Sequence, residues 1–398
     1  MSFNIANTGL NAVNEQLSAV SNNIANSGTK GYKSSRAEFA SMYAQSQPLG
    51  VGVSGVSQNI SKDGAIEKTG NAMDLAISGS GFFVVKNTNG DEAYTRAGMF
   101  SSDKNGFLVN SSGMKLQGYG VDAAGNLQTN SISDLKISTT GIPAKASSKL
   151  DFMTNLPANA IPPTATPFDV ADANSYNHMS TSTVYDSLGR QHVLTQYFVK
   201  TSNTGEWNVH YAVDGIVSTG TTHKLEFDVS GVMTSASSKA ISGSYVPVGA
   251  AGFNINIDYT GTTQFQSEFL PTTNKGDGYT SGTKNGERIE NDGSVYATFS
   301  NGERMLQGKF VLANFANPNG LDAQSGTTWT ATNKSGAALM GAPGSGLLGD
   351  IEVGALESSN VDLTAELVNL MTAQRNYQAN TKIISTNDSM MNALFQVL

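Results

Sequence analysis

The stretch VDLTAELVNLMTAQRNYQANTKIISTNDSMMNALFQVL, residues 361–398, decides how the rest of the chain is organised. Alternating steps of four and three residues from Leu363 reach eleven positions, and eight of these are apolar or aromatic. This spacing is typical of a coiled-coil seam, and no Gly or Pro interrupts it. Ser359 and Asp362 predict a capping box at the helix start. The apolar seam positions are Leu363, Leu367, Leu370, Tyr377, Ile384, Met391, Phe395 and Leu398.

The opening residues carry a matching seam at the other end of the chain. Residues 1–29 contain one charged side chain, Glu15, and seven Asn, whereas a solvated helix face is usually rich in Lys and Glu. Such a narrow seam buries little apolar area compared with the entropy lost on ordering the helix. Packing on the chain's own core is the ordinary outcome for one amphipathic helix, but two such ends favour self-assembly. The seam residues are Leu10, Val13, Leu17, Val20 and Ile24.

The amino-acid composition argues against several kinds of partner and chemistry. The 398 residues suffice for several domains, and 24 basic against 32 acidic residues give a net charge of −8. No Lys/Arg-rich run occurs, which argues against nucleic acid or an anionic membrane as partner. No apolar run is long enough for membrane insertion, and the first residues lack the pattern of a cleaved secretory signal. Cysteine is absent, so disulfides and thiolate chemistry are excluded.

Between the two ends, the composition predicts nested β domains. Asn-Gly pairs at 89–90, 105–106 and 301–302 predict tight hairpins, and alternating apolar residues at 207–213 and 253–259 predict half-buried strands. Leu225, Phe227 and Val229 are predicted to share one strand face. We therefore expect a mainly β fold with terminal α-helices, in which an α-helical coiled-coil core joins two antiparallel β domains of sandwich or barrel type. The expected divisions are a terminal helical domain (1–33 and 357–398), an extended Gly-rich connector (34–70), a discontinuous β domain (71–145 and 271–356) and an inserted outer β domain (146–270).

Residue patterns that would indicate catalysis or cofactor binding are weak. A GxGxxG match at 344–349 lacks the strand, helix and βαβ context of a nucleotide site, so a loop is the better interpretation. The four His residues have no partners at metal-ligand spacing and are expected on the surface or in loops. Carboxylates are sparse and unpaired. We therefore expect no enzyme activity, no metal and no cofactor.

Three segments resemble the rod and hook group of bacterial flagellar axial proteins. They are GLNAVNEQLSAVSNNIANSGTKGYK (9–33), MDLAISGSGFFV with TRAGMFSSDKNGFLV (73–84 and 95–109), and ALESSNVDLTAELVNLMTAQRNYQAN (355–380). The length, the insertion and FVLANFANPNGL (310–321) are similar to the hook-forming members of the group, whereas the distal rod protein is shorter.

The resemblance implies a curved, flexible tubular homopolymer at the cell exterior that couples the motor rod to the filament and transmits torque. It implies terminal helices that line the inner core, a first β domain in the middle wall and an outermost inserted domain. It also implies export without a cleaved signal through the flagellar type III apparatus, and contact with distal rod, hook cap and hook–filament junction proteins. Two alternatives stay open: a distal rod or other axial protein, and a β-rich surface adhesin or binding module.

Overall fold

The computed structural model describes residues 2–44, 47–122, 125–218, 222–234, 238–242, 247–252 and 254–397. Within this part of the chain, helix α1 spans Ser2–Ala25 and helix α2 spans Leu363–Val397, with β-strands between them. The predicted fold class, mainly β with terminal helices, is confirmed, whereas the coiled-coil core stays a prediction. No helix in the described ranges combines the length and apolar composition needed to cross a bilayer.

The strands of the described residues are numbered in chain order. The first ten are β1 (Ser35–Ala44), β2 (Gln47–Gln58), β3 (Ile66–Lys68), β4 (Leu75–Ser78), β5 (Phe82–Lys86), β6 (Glu92–Thr95), β7 (Ser101–Ser102), β8 (Leu108–Val109), β9 (Lys115–Val121) and β10 (Leu127–Asp134). The next nine are β11 (Lys149–Asn155), β12 (His178–Tyr185), β13 (Gln191–Lys200), β14 (Glu206–Val213), β15 (Ile216–Val217), β16 (His223–Glu226), β17 (Ser238–Ser242), β18 (Asn254–Asp258) and β19 (Leu270–Gly276). The last nine are β20 (Lys284–Ile289), β21 (Ser294–Phe299), β22 (Arg304–Phe310), β23 (Leu312–Asn314), β24 (Asp322–Gln324), β25 (Thr328–Thr330), β26 (Leu339–Gly341), β27 (Asp350–Val353) and β28 (Ala355–Glu357).

The chain divides into two compact units. The first comprises Met1–Thr139, Gly286–Ala297 and Arg304–Leu398, and the second comprises Thr140–Asn285 and Thr298–Glu303. The whole predicted insertion, 146–270, therefore lies in the second unit.

The first unit is built on an antiparallel sheet in which β22, β9, β5, β6, β25 and β24 follow one another. Its core holds Phe82, whose ring meets those of Phe315 at 6.0 Å and Trp329 at 5.8 Å in edge-to-face geometry. Such pairs stabilise a core beyond the apolar area that they bury. Helices α1 and α2 belong to this unit, and β28 pairs with β3 shortly before α2 begins.

The second unit contains two sheets that share one apolar core. One sheet has the order β17-β18-β11-β19, and the other has the order β12-β13-β14-β15 with β16 also paired to β14. Trp207, Val209 and Tyr211 of β14 are fully buried, as are Ile257 and Tyr259 from the first sheet. Because alternate side chains of a strand point to one face, this burial is what the sequence alternation predicts. The arrangement is a sandwich.

Most predicted turns are confirmed. Gly90 lies in the left-handed region (φ 95°) between β5 and β6, and Gly106 (φ 86°) lies between β7 and β8. Asp103 Oδ1 accepts hydrogen bonds from the N–H groups of Asn105 and Phe107, both at 2.8 Å, so this segment closes a hairpin. Gly302 (φ 85°) follows β21.

Two local predictions about strands and histidines are wrong. Val229 does not continue the face of Leu225 and Phe227, because β16 ends at Glu226 and Val229 is fully exposed in a turn. Asp228 Oδ1 holds that turn by accepting the N–H of Val232 at 2.9 Å. His223 is buried on β16 and stacks on Tyr259, so it is not the surface or loop residue that was expected.

The start of α2 and the predicted connector also differ from expectation. Asp362 Oδ1 accepts the N–H groups of Thr364 (3.0 Å) and Ala365 (3.1 Å), so Asp362 is itself the N-cap. Ser359 lies before the helix and accepts the N–H of Val361, so the predicted capping box is wrong. Part of the predicted 34–70 connector is a two-stranded antiparallel hairpin, β1–β2, which the sequence did not predict.

Candidate functional site

The two terminal helices pack against each other in antiparallel fashion. Near one end, Asn23 Nδ2 of α1 donates a hydrogen bond to Glu366 Oε1 of α2 at 2.9 Å. Further along, α1 comes so close to α2 that a Cβ added to Gly9 would lie 3.0 Å from Asn380 Nδ2. A side chain at position 9 would therefore press on the Asn380 amide, which would have to shift slightly.

The predicted seam of α1 faces the interior of the first unit. Val13 and Val20 are buried, and the other three predicted residues, Leu10, Leu17 and Ile24, are partly buried. Ala6, Ala12 and Ala19 are buried beside them. The packed face of α1 is therefore broader than the predicted stripe, since α1 contacts both α2 and the β1–β2 hairpin.

The predicted seam of α2 is largely exposed in the single chain. Leu370 and Ile384 are partly buried, whereas Leu363 (46% exposed), Leu367 (46%), Tyr377 (39%) and Met391 (51%) are not covered. The side chain of Phe395 and the whole of Leu398 lie outside the described residues. The side of α2 that packs most closely includes Glu366, Ala373 and Asn380 instead. Further apolar side chains of α2 are exposed: Val368, Met371, Ile383 and Met390.

The β1–β2 hairpin also carries exposed apolar side chains. It pairs Ser35 with Gln58 at its base, where Trp329 Nε1 donates a hydrogen bond to Gln58 Oε1 at 2.8 Å. Helix α1 lies on β2, and the N–H of Val51 donates to Thr8 Oγ1 at 3.4 Å. Its exposed apolar side chains are Phe39, Met42, Tyr43, Leu49, Val53 and Val56.

Asn23 ties the end of α1 to three other segments. This side chain is 1% exposed, and its Nδ2 also donates to the carbonyl of Ser35 at 2.7 Å. Its Oδ1 accepts the N–H of Ser35 at 2.8 Å and the hydroxyl of Tyr32 at 3.2 Å. Burial raises the pKa of Tyr32, and the nearby Glu366 carboxylate acts in the same direction. One amide thus joins α1, the following turn, β1 and α2.

Asn360 plays a matching role just before α2. Its Oδ1 accepts the N–H of Ser34 at 2.7 Å, and its Nδ2 donates to the carbonyls of Asn59 (2.9 Å) and Lys62 (2.8 Å). A buried amide that makes all of these bonds fixes the chain at both ends of the hairpin.

A buried ionic cluster adds a third set of polar contacts between these segments. Glu357 Oε1 pairs with Lys33 Nζ at 2.8 Å, and Glu357 Oε2 pairs with Arg96 Nη1 at 3.1 Å. Asp63 pairs with Arg96 Nη2 at 3.1 Å and lies 3.5 Å from Lys33 Nζ. The side chains of Lys33 and Glu357 are 0% and 1% exposed. Glu357 also accepts the N–H of Gly64 at 2.9 Å.

The cluster brings together charges from four distant parts of the first unit. The expectation of unpaired carboxylates missed their convergence. A usable signal was present, because Lys33, Arg96 and Glu357 each lie in one of the three quoted family segments.

Within the described residues, nothing supports the weak sequence matches to catalytic or metal-binding sites. Among them, no three His, Cys, Asp or Glu side chains lie together so as to hold a metal ion. The GxGxxG match forms the loop between β26 and β27, as interpreted. His192 hydrogen-bonds to Asp214 at 2.6 Å and lies 3.4 Å from Asp186.

Four family descriptions match successive parts of the chain. They are flagella basal body rod protein (residues 3–33), flagellar hook protein FlgE/F/G D1 domain (76–148), flagellar basal body protein FlaE D2 domain (155–279) and flagellar basal body rod FlgEFG protein C-terminal (352–397). The described helices lie in the first and last of these segments.

The chain is also similar to flagellar hook proteins along its whole length. The chain is 41% identical to flagellar hook protein FlgE of Salmonella typhimurium and 39% identical to that of Escherichia coli, each over 99% of both chains. The crystal structure of Helicobacter pylori flagellar hook protein FlgE2 superposes with a TM-score of 0.55 at 14% identity, over 73% of this chain and 100% of that one. At 14% identity, the similarity to this structure shows a shared fold only.

Proposed function

The chain belongs to the flagellar hook protein family and is a structural protein of the flagellar hook, and from this premise we propose how it assembles. Exposed apolar side chains of α2, among them Leu363, Leu367 and Met391, are covered by helices of neighbouring copies. The polymer is a curved, flexible tube that couples the motor rod to the filament and transmits torque. In this proposal, the seam residues of both helices are assembly contacts, and their role is structural rather than catalytic.

The exposure of α2 is the observation that supports this proposal. Soluble proteins seldom leave several large apolar side chains uncovered along one helix, and such a surface indicates an interaction site. These side chains are already about half covered, so burying the rest of each would contribute roughly half of the 1.5–3 kcal/mol for complete burial, about 1 kcal/mol. The antiparallel contact with α1 covers only one side of α2, so further copies are needed to cover the rest.

The buried polar anchor supports the same proposal. Asn23, Asn360 and the Lys33–Glu357–Arg96 cluster fix where the helix pair leaves the β sheet of the first unit. A polymer that transmits torque needs a rigid joint at this point, because otherwise its helices would rotate without the β strands.

We further propose the partners and the domain roles. The chain polymerises in the hook with other flagellar components, and we assign to these the distal rod, the hook cap and the hook–filament junction proteins. Subunits reach the cell exterior through the flagellar type III export apparatus. We assign the inner core to the segments 1–33 and 357–398, the connector to 34–70, the middle wall to 71–145 with 271–356, and the outer wall to 146–270.

Negative-stain electron microscopy of the concentrated full-length protein tests the proposed function. We expect curved tubes. A matched variant that lacks residues 1–29 and 363–398 keeps all the described strands, β1 to β28, and should remain as isolated particles. Isolated particles from the full chain, or tubes from the truncated one, would contradict the proposal.

A further inference from the structure

The helix pair carries a small set of exposed, unpaired charges. Glu15 is the charged residue of α1, and Arg375, Lys382 and Asp388 lie on the exposed surface of α2. No ion pair or side-chain hydrogen bond within the described ranges involves any of these four side chains. Two are acidic and two are basic, so the set is complementary to itself.

Glu15 and Arg375 lie at nearly the same height along the helix pair. The contacts of Asn23 with Glu366 and of Gly9 with Asn380 define a single antiparallel register. In this register Glu15 is level with Gln374, so Arg375 differs from it by about 1.5 Å along the axis, the rise of one residue. Lys382 lies about 10 Å beyond Arg375 on the same stripe, since seven residues make nearly two turns.

The two charges nevertheless point away from each other. Ala373 of α2 is fully buried, and Arg375 is two residues further on, about 200° around the helix. Val13 of α1 is buried beside α2, and Glu15 is likewise two residues further on. The carboxylate therefore lies on one flank of the helix pair and the cations lie on another.

We propose that Glu15 of one copy pairs with the stripe formed by Arg375 and Lys382 on a neighbouring copy of this chain. This inference rests on the proposed function, because it requires helix pairs from separate copies to lie side by side. Contacts that generate an open helical polymer use different surfaces of the same molecule. Opposite charges on two flanks, without partners in their own chain, meet that requirement.

The pair would set the register between copies more than the strength of their contact. Exposed ion pairs contribute little free energy, whereas like charges placed opposite each other are strongly unfavourable. An apolar helix surface alone allows neighbouring helices to slide. A single anion opposite two cations selects the positions in which charges of opposite sign meet.

Charge reversal and its rescue test the pairing. The purified full-length chain and three variants, Glu15→Lys, Arg375→Glu with Lys382→Glu, and all three changes together, are polymerised at about 0.1 M salt, where the screening length is about 10 Å. The soluble concentration in equilibrium with polymer is measured by sedimentation. We expect the first two variants to raise it at least about tenfold and the triple variant to restore it towards the wild-type value.

The controls separate this inference from the proposed function. Glu268→Lys reverses an exposed charge in the second unit and should polymerise like the wild type. Far-UV circular dichroism of each dilute variant checks that the fold is retained. Equal polymerisation of all variants, or a triple variant that is as defective as the others, would overturn the pairing while leaving hook assembly intact. If the wild type formed no tubes, the proposed function would fail instead.

Discussion

Replacing Glu357 by Gln tests the idea that a buried ionic cluster anchors the terminal helices to the first unit. The substitution keeps the shape of the side chain but removes the negative charge that Lys33 and Arg96 share at 2.8 and 3.1 Å. Lys33 is fully buried, so its charge would depend on Asp63 at 3.5 Å and on the carbonyl of Lys62 at 2.7 Å. Breaking a buried pair from one side costs about 3–5 kcal/mol, because the remaining charge is left uncompensated.

This cost is large enough to measure by thermal unfolding. For a unit of this size, 1 kcal/mol shifts the melting temperature by about 2–4 °C, so the expected decrease is roughly 6–20 °C. The transition is followed by circular dichroism in dilute full-length protein. Glu352→Gln, an exposed carboxylate on β27, is the matched control and should shift the free energy of unfolding by less than about 0.5 kcal/mol. If Glu357→Gln melted within a degree of the control, the cluster would not be the anchor.

Three further predictions concern other parts of the structure. Asn23→Ala should lower the free energy of unfolding of the first unit by about 1–3 kcal/mol, because it leaves buried partners unsatisfied, and urea unfolding measures this loss. Leu367→Glu should leave the melting temperature of dilute protein unchanged yet abolish sedimentable polymer. Leu347→Glu, on an exposed loop, is the control and should change neither the melting temperature nor the amount of polymer. Tubes formed by Leu367→Glu would argue against α2 as the contact surface. Burial alone would raise the pKa of Asp186, but hydrogen bonds from Arg190 and neighbouring groups outweigh it and lower the pKa to about 2. Its ionised form therefore stabilises the second unit above the unfolded pKa of about 3.9, and the excess melting temperature of wild type over Asp186→Asn should disappear as the pH falls from about 4 to 2.

Local signals in the sequence predicted much of the fold. Both helices follow from an apolar period of three and four residues, which in α2 no Gly or Pro interrupts, and turns such as that at Gly90 follow from Asn-Gly pairs. The burial of Tyr211 and Ile257 follows from strict alternation. In each of these cases, the information lies within about ten residues of chain.

Features that depend on distant residues were not predicted. The ionic cluster joins Lys33 to Glu357, and no spacing rule relates two charges so far apart in sequence. The β1–β2 hairpin was interpreted as a connector because Gly50 and its neighbours weaken a strand pattern, yet the approach of α1 at Thr8 favours Gly at that position. Val229 was placed on a strand because alternation alone does not show where a turn begins.

The predicted seam illustrates the limit of periodicity for the candidate site. The period places Leu367 and Tyr377 on one stripe, but it does not say which side of α2 meets α1. In the structure Ala373 and Asn380 pack more closely than most of the predicted stripe. The exposed remainder of that stripe is what leads to the proposal of contacts between copies.

Hydrogen exchange of the backbone amides in α1 and α2, compared between dilute protein and assembled polymer, tests most directly whether neighbouring copies complete the helix pair. We predict that the parts of both helices away from the Asn23–Glu366 contact exchange rapidly in the dilute protein, that both helices are strongly protected in the polymer, and that β5 and β14 are protected in both states. Helices that are as well protected in the dilute monomer as in the polymer would contradict this account.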